Sequence, residues 1–116
     1  SRDFGRLLIL GTRFTMQGTI YQRACKGLGI ECVMPEGEEM QEIDRIIWSD
    51  LLTGKVVQSS VDYYVSVIER HSLLGCDAVV LGCTEIPLLI SDSNSPLPTL
   101  DSTRLLAKEA VRQAIS

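Results

Sequence analysis

A chain of 116 residues with a net charge of −4 has the size of a single domain, able to bury roughly two-thirds of its unfolded surface. Apolar residues make up 45% and charged residues 22%, the composition of a globular chain and not of a disordered one. The 11 Lys and Arg residues are scattered, which argues against a nucleic-acid or membrane partner, and the longest apolar runs are strand-length, too short to span a bilayer.

In chain order, Leu7 to Gly11 is a continuous apolar run, suited to a strand buried on both faces. From Met16 to Leu28, the residues Tyr21, Cys25 and Leu28 recur at helical spacing, and Gly29 stops the helix. Ile30 to Met34 is a short strand closed by Pro35. A second helix runs from about Gly37 to Leu52 with the stripe Met40, Ile43, Ile47 and Leu51, and Gly54 ends it. A third starts near Ser59, where Ser59 and Asp62 have the spacing of a capping box. Val61, Val65 and Ile68 form its inner face and Gly75 stops it. Ala78 to Gly82 is the next strand. A short helix covers Ile86 to Ser91, with Pro87 tolerated in its first turn. After a polar loop to Pro98, Thr99 and Leu100 form a last short strand. Asp101 or Ser102 caps a final helix that reaches Ile115.

Strands alternating with helices predict an α/β fold. The architecture expected is a three-layer, flavodoxin-like parallel sheet of about four strands with helices on both faces. Loops at the carboxyl ends of the strands, where such sheets bind ligands, are then Gly11 to Thr15, Pro35 to Glu38 and Gly82 to Glu85.

The run from Ala78 to Pro87 holds the strongest chemical signal. An apolar strand ends on Gly82-Cys83-Thr84-Glu85, and a helix is expected at once. A thiol placed there lies beside unpaired backbone N–H groups, which favour anions and lower a thiol's pKa. Cys83 is therefore the candidate reactive residue. Cys25 and Cys32 are seven apart, as are Cys76 and Cys83, which matches no common zinc spacing. The N-terminus carries no secretory signal, so a cytoplasmic protein without a disulfide framework is expected. Cys25, Cys32 and Cys76 read as small core residues. His71 reads as a surface residue near a helix end, Arg13 and Lys55 as solvated charges, and Trp48, Tyr63 and Tyr64 as packing on a helix face.

Three blocks together, Leu10-Gly11-Thr12-Arg13-Phe14-Thr15-Met16, Gly82-Cys83-Thr84-Glu85-Ile86-Pro87 and Leu100-Asp101-Ser102-Thr103, resemble the C-terminal half of aspartate/glutamate racemases. That resemblance implies an isomerase that uses neither pyridoxal phosphate nor metal, so no cofactor is expected. Two cysteines flank the substrate α-carbon; one removes the α-proton and the other returns a proton to the opposite face. Cys83 matches the second-half cysteine, and Thr84 the threonine that holds the substrate carboxylate. Thr12 and Thr15 match the loop facing the same cleft, while Glu85 steadies the loop. The implied substrate is an acidic amino acid, aspartate or glutamate.

The chain also departs from that family. The first half of such enzymes supplies a cysteine followed by Asn and Thr, and no Cys-Asn-Thr segment occurs here. The expectation is one catalytic wall, inactive as a racemase on its own, whose partner is an absent N-terminal half. A family histidine is replaced by Leu106, and a basic residue before Gly54 by Thr53. The apolar stripe Leu105, Leu106, Val111 and Ile115 favours self-association, giving a homodimer as a possible assembly. Two other readings stay open: a related decarboxylase or isomerase of small dicarboxylates, and a non-catalytic anion-binding domain.

Overall fold

The computed structural model describes residues 5–83 and 85–101. Strand β1 (Arg6–Leu10) leads through helices α1 (Arg13–Gln17) and α2 (Ile20–Gly27) to β2 (Glu31–Val33). Helix α3 (Glu38–Ser49), a 3-10 turn (Leu51–Thr53) and helix α4 (Gln58–Leu73) follow, then β3 (Ala78–Leu81), a second 3-10 turn (Ile86–Leu88) and β4 (Thr99–Asp101). All pairings are parallel and the strand order is β2-β1-β3-β4. Leu7 sits opposite Cys32, Leu8 opposite Val79, and Val80 opposite Leu100. The expected α/β parallel sheet of four strands is therefore present.

The strand order explains the layers. The chain steps one way from β1 to β2 and the other way from β2 to β3, and right-handed crossovers then send the connections to opposite faces. Leu8, Leu10 and Val79 pack with α3, α4 and the segment after β3, through Ile43, Ile47, Tyr64, Ile68, Ile86 and Ile90. Leu7, Ile9, Ala78 and Val80 point to the other face, onto Tyr21 and Cys25 of α2. The central strands are thus fully buried on both sides, which is why they read as unbroken apolar runs.

Several elements differ from the sequence expectation. The helix expected over Met16 to Leu28 is two helices, because Gly18 closes α1 with its N–H on Phe14 O at 2.9 Å. The break lets the chain change faces: Met16 joins the α3/α4 cluster, whereas Tyr21 and Cys25 lie on the other face. Helix α4 begins at Gln58 with no side-chain cap, and the Ser59–Asp62 pair does not cap it; Gln58 instead donates to Asp62 at 2.9 Å.

The inner face of α4 is also rotated from the expected one. Ser60, Tyr64, Val67, Ile68 and His71 are buried, while Val61 and Val65 are half-buried. Polar residues are accepted there because each finds a partner. Ser60 Oγ is 3.2 Å from Asp50 Oδ2, Tyr64 donates to Ile43 O at 2.8 Å, and His71 Nδ1 lies 2.8 Å from Val67 O. His71 is thus a core residue, 2% exposed, and not a surface one, while Trp48 is 52% exposed and covers no core.

Cys25 and Cys32 are joined in a disulfide, with Cα atoms 6.2 Å apart, and are not separate core thiols. The chain reverses at Gly29, whose φ of 75° suits glycine, and Ile30 N–H returns to Cys25 O at 2.7 Å. That turn brings β2 back against α2, so a spacing of seven residues faces sulfur to sulfur. The helix expected over Ile86 to Ser91 is only the 3-10 turn. The final helix expected up to Ile115 lies outside the described residues. No helix among the described residues is long and apolar enough to cross a membrane.

Candidate functional site

The winding direction of the sheet reverses between β1 and β3, and the loops after these strands bound the crevice that such a reversal leaves. They are the loops from Gly11 and from Gly82. The two loops touch: Gly82 N–H donates to Leu10 O at 2.6 Å. A β-carbon on Gly82 would lie 2.7 Å from Leu10 O and 3.1 Å from Thr15 Cγ2. One on Gly11 would lie 2.9 Å from the same Thr15 methyl. Both positions need glycine, Gly11 because it closes on the Thr15 side chain and Gly82 chiefly because it closes on the Leu10 carbonyl.

Thr12 and Thr15 act on each other. Thr12 Oγ1 caps α1 by accepting Thr15 N–H at 3.3 Å, and the two hydroxyls are 3.2 Å apart. Both are half-buried at the strand edge. Asp44 Oδ1 on α3 accepts the next N–H, that of Arg13, at 2.7 Å, and Trp48 Nε1 at 2.9 Å. The start of α1 is thus already occupied by a hydroxyl and a carboxylate of the same chain. The Arg13 guanidinium leaves that end and lies 5.5 Å from the centre of the Phe14 ring.

Cys83 is a free, half-buried thiol that stands just past the end of β3, after Gly82. It packs against the apolar cluster holding Tyr64 and Ile86, and its carbonyl accepts Ile86 N–H at 3.2 Å. Burial pushes the Tyr64 phenol far above its ordinary pKa, and negative charge at Cys83 pushes the same way. The other free thiol, Cys76, is buried, and burial raises its pKa. Glu85 is half-buried just before the 3-10 turn Ile86–Leu88. Thr84 lies outside the described residues.

Of the residues singled out from sequence, Thr12, Thr15, Cys83 and Glu85 all stand on this one edge, on two touching loops. Sequence reasoning missed Asp44 and assigned Tyr64 to packing alone. The Asp44-Trp48 spacing of one helical turn was the available signal for the first. Among the described residues no group of three or more His, Cys, Asp or Glu is arranged to hold a metal ion.

The fold and site define a class, a parallel α/β domain with a free thiol and two threonines beside its switch point, and sequence comparison narrows it. The profile of the Asp/Glu/Hydantoin racemase family matches residues 1–110, and the chain belongs to that family. It is 27% identical over 106 residues to the broad specificity amino-acid racemase RacX of Bacillus subtilis, an alignment covering 91% of this chain and 45% of RacX. A candidate Asp/Glu racemase from Yersinia pestis superposes with a TM-score of 0.81 at 32% identity, over 97% of this chain and 50% of that one. An aspartate racemase homologue from Pyrococcus horikoshii superposes with a TM-score of 0.81 at 31% identity, over 99% and 50%. The chain spans about half the length of these relatives.

Proposed function

We propose that this chain forms one wall of a cofactor-independent amino-acid racemase, with Cys83 as one of two thiols that work on the substrate α-carbon. The observation that carries the reading is the position of Cys83, a half-buried free thiol at the carboxyl end of β3, on the loop that meets the Gly11–Thr15 loop. As thiolate, Cys83 takes the α-proton and leaves a carbanion whose charge spreads into the carboxylate. A second thiol on the opposite face gives a proton back, so the product is the mirror image and no net proton is consumed.

The difficulty of the step is the weak acidity of the α-proton. Fixed donors around the carboxylate, already oriented before the substrate arrives, lower that barrier by stabilising the charge as it develops. Thr84, Thr12 and Thr15 are the donors in this reading, with Glu85 holding the loop. Because the chain spans about half of its relatives, the second thiol is assigned to another α/β half. The α-carbon, amino group and carboxylate are common to all amino acids. Aspartate and glutamate, the substrates that the sequence resemblance implies, are the first pair to test.

The test is α-proton exchange in D2O followed by NMR. One wall supplies one acid/base, so the chain is expected to wash deuterium into an amino acid without inverting it. Cys83→Ser should slow that exchange about 100-fold or more, the scale of losing a general base. Equal exchange by both proteins, or none by either with any amino acid, would sink the reading.

A further inference from the structure

All three methionines of the chain, Met16, Met34 and Met40, line one open cavity of about 440 Å³. They come from three elements: α1, the loop after β2, and the first turn of α3. The cavity therefore opens at the carboxyl end of the sheet, on the β2 side of the crevice. Its inner wall neighbours the candidate site. Met16 directly follows Thr15, whose methyl meets the Gly82 loop, and Met16, Met34, Met40 and Cys83 all pack in one apolar cluster.

The chemistry of the lining is selective. Among the described lining residues, Glu36 is the only charged group and there is no Lys, Arg or His. Gln17 and Gln22 supply amides that both donate and accept hydrogen bonds. The half-buried thioethers of Met34 and Met40 can wrap chains of varied length without fixed geometry, over a floor that the buried Met16 supplies. A carboxylate entering here would face Glu36 with no cation among the described lining residues, which disfavours the charged form. An uncharged chain of similar length loses little water, and a terminal amide finds the glutamines.

From this we infer that the methionine cavity is the side-chain subsite of the racemase reading and takes unbranched, uncharged side chains, of the methionine and glutamine class, in preference to aspartate and glutamate. The inference rests on the reading of Cys83 as the acid/base, but its substrate class departs from the acidic one expected at first.

The labels for the test are built in. With carbon-13 in the methionine methyl groups, the protein gives three signals, and all three belong to cavity residues. Titration with L-methionine is expected to shift them saturably. L-glutamate should need at least about tenfold higher concentration, the factor that ~1.4 kcal/mol represents. Met34→Lys places a cation in the wall, and the order should reverse in favour of glutamate. Shifts at equal or lower concentrations of glutamate in the unaltered chain, or no saturable shift with methionine, would overturn the inference. The two readings fail separately. Cys83→Ser should slow exchange about 100-fold or more yet leave saturable methyl shifts with methionine, whereas exchange of aspartate without methionine-induced shifts keeps the racemase and removes the subsite.

Discussion

Thr15 is the residue on which the site closes. Its methyl group lies where a β-carbon on Gly11 or on Gly82 would have to go, at 2.9 and 3.1 Å. The two glycines are not equivalent, however. For Gly82 the nearest atom is backbone, Leu10 O at 2.7 Å, which belongs to β1 and cannot move without shifting the strand. For Gly11 the nearest atoms are those of the Thr15 side chain. Gly82→Ala should therefore cost about 1 to 3 kcal/mol, as overpacking does, whatever stands at position 15. Gly11→Ala should be partly relieved by Thr15→Ser, which removes the methyl group. Urea midpoints of the single and double variants check this; relief of Gly82→Ala by Thr15→Ser would contradict it. The glycine before Cys83 was legible in the sequence as part of a motif. Its physical need was not, because the atoms it meets lie 72 residues earlier in β1.

At the scale of elements, the sequence exposed whatever depends on neighbours in the chain. The apolar runs of β1 and β3, the α3 stripe at Met40, Ile43 and Ile47 and the stops at Gly29 and Gly75 stand where the pattern put them, whereas α3 ends at Ser49 and Gly54 closes the separate 3-10 turn Leu51–Thr53 that carries Leu51. The inner face of α4 did not, because valines at 61 and 65 outweighed a tyrosine and a histidine whose polar atoms find partners only in the folded protein. The Cys25–Cys32 bond was hidden for the same reason: it depends on the reversal at Gly29 that folds β2 back along α2. That bond clips the edge strand to the helix covering its face. By the loop-closure relation, a loop of this length contributes about 2 to 3 kcal/mol. Reductant should lower the urea midpoint accordingly, since the remaining cysteines, Cys76 and Cys83, are free. Cys32→Ser should show the lower midpoint with or without reductant. An unchanged midpoint on reduction would mean that the bond does not form in solution.

At the scale of the whole molecule, alternation of strands and helices made the parallel sheet legible, and the reversal of winding that creates the crevice follows from strand order. What ties the larger layer together is less visible. Tyr64 is fully buried between α4, α3 and the sheet, and its hydroxyl is spent on Ile43 O of α3. Burial, then negative charge at Cys83, Asp44 and Glu42, holds the phenol protonated far above its usual range. In the unfolded chain the same phenol ionises near its ordinary value of about 10. The folded pKa is the higher of the two, so the contribution is complete below pH ~10 and is lost as pH rises beyond it. Between those limits the unfolded state binds fewer protons, and stability falls by about 1.4 kcal/mol per pH unit for this one group. Tyr63 is shifted in the same direction, again by burial first, so Tyr64→Phe should flatten the alkaline slope without abolishing it. At neutral pH the same variant should lose only the hydrogen bond, about 1 kcal/mol. Urea midpoints from about pH 8 to about pH 12 separate the two effects. Parallel pH profiles for the unaltered chain and Tyr64→Phe would show that the phenol titrates freely, and that the layer beneath Cys83 is open to water.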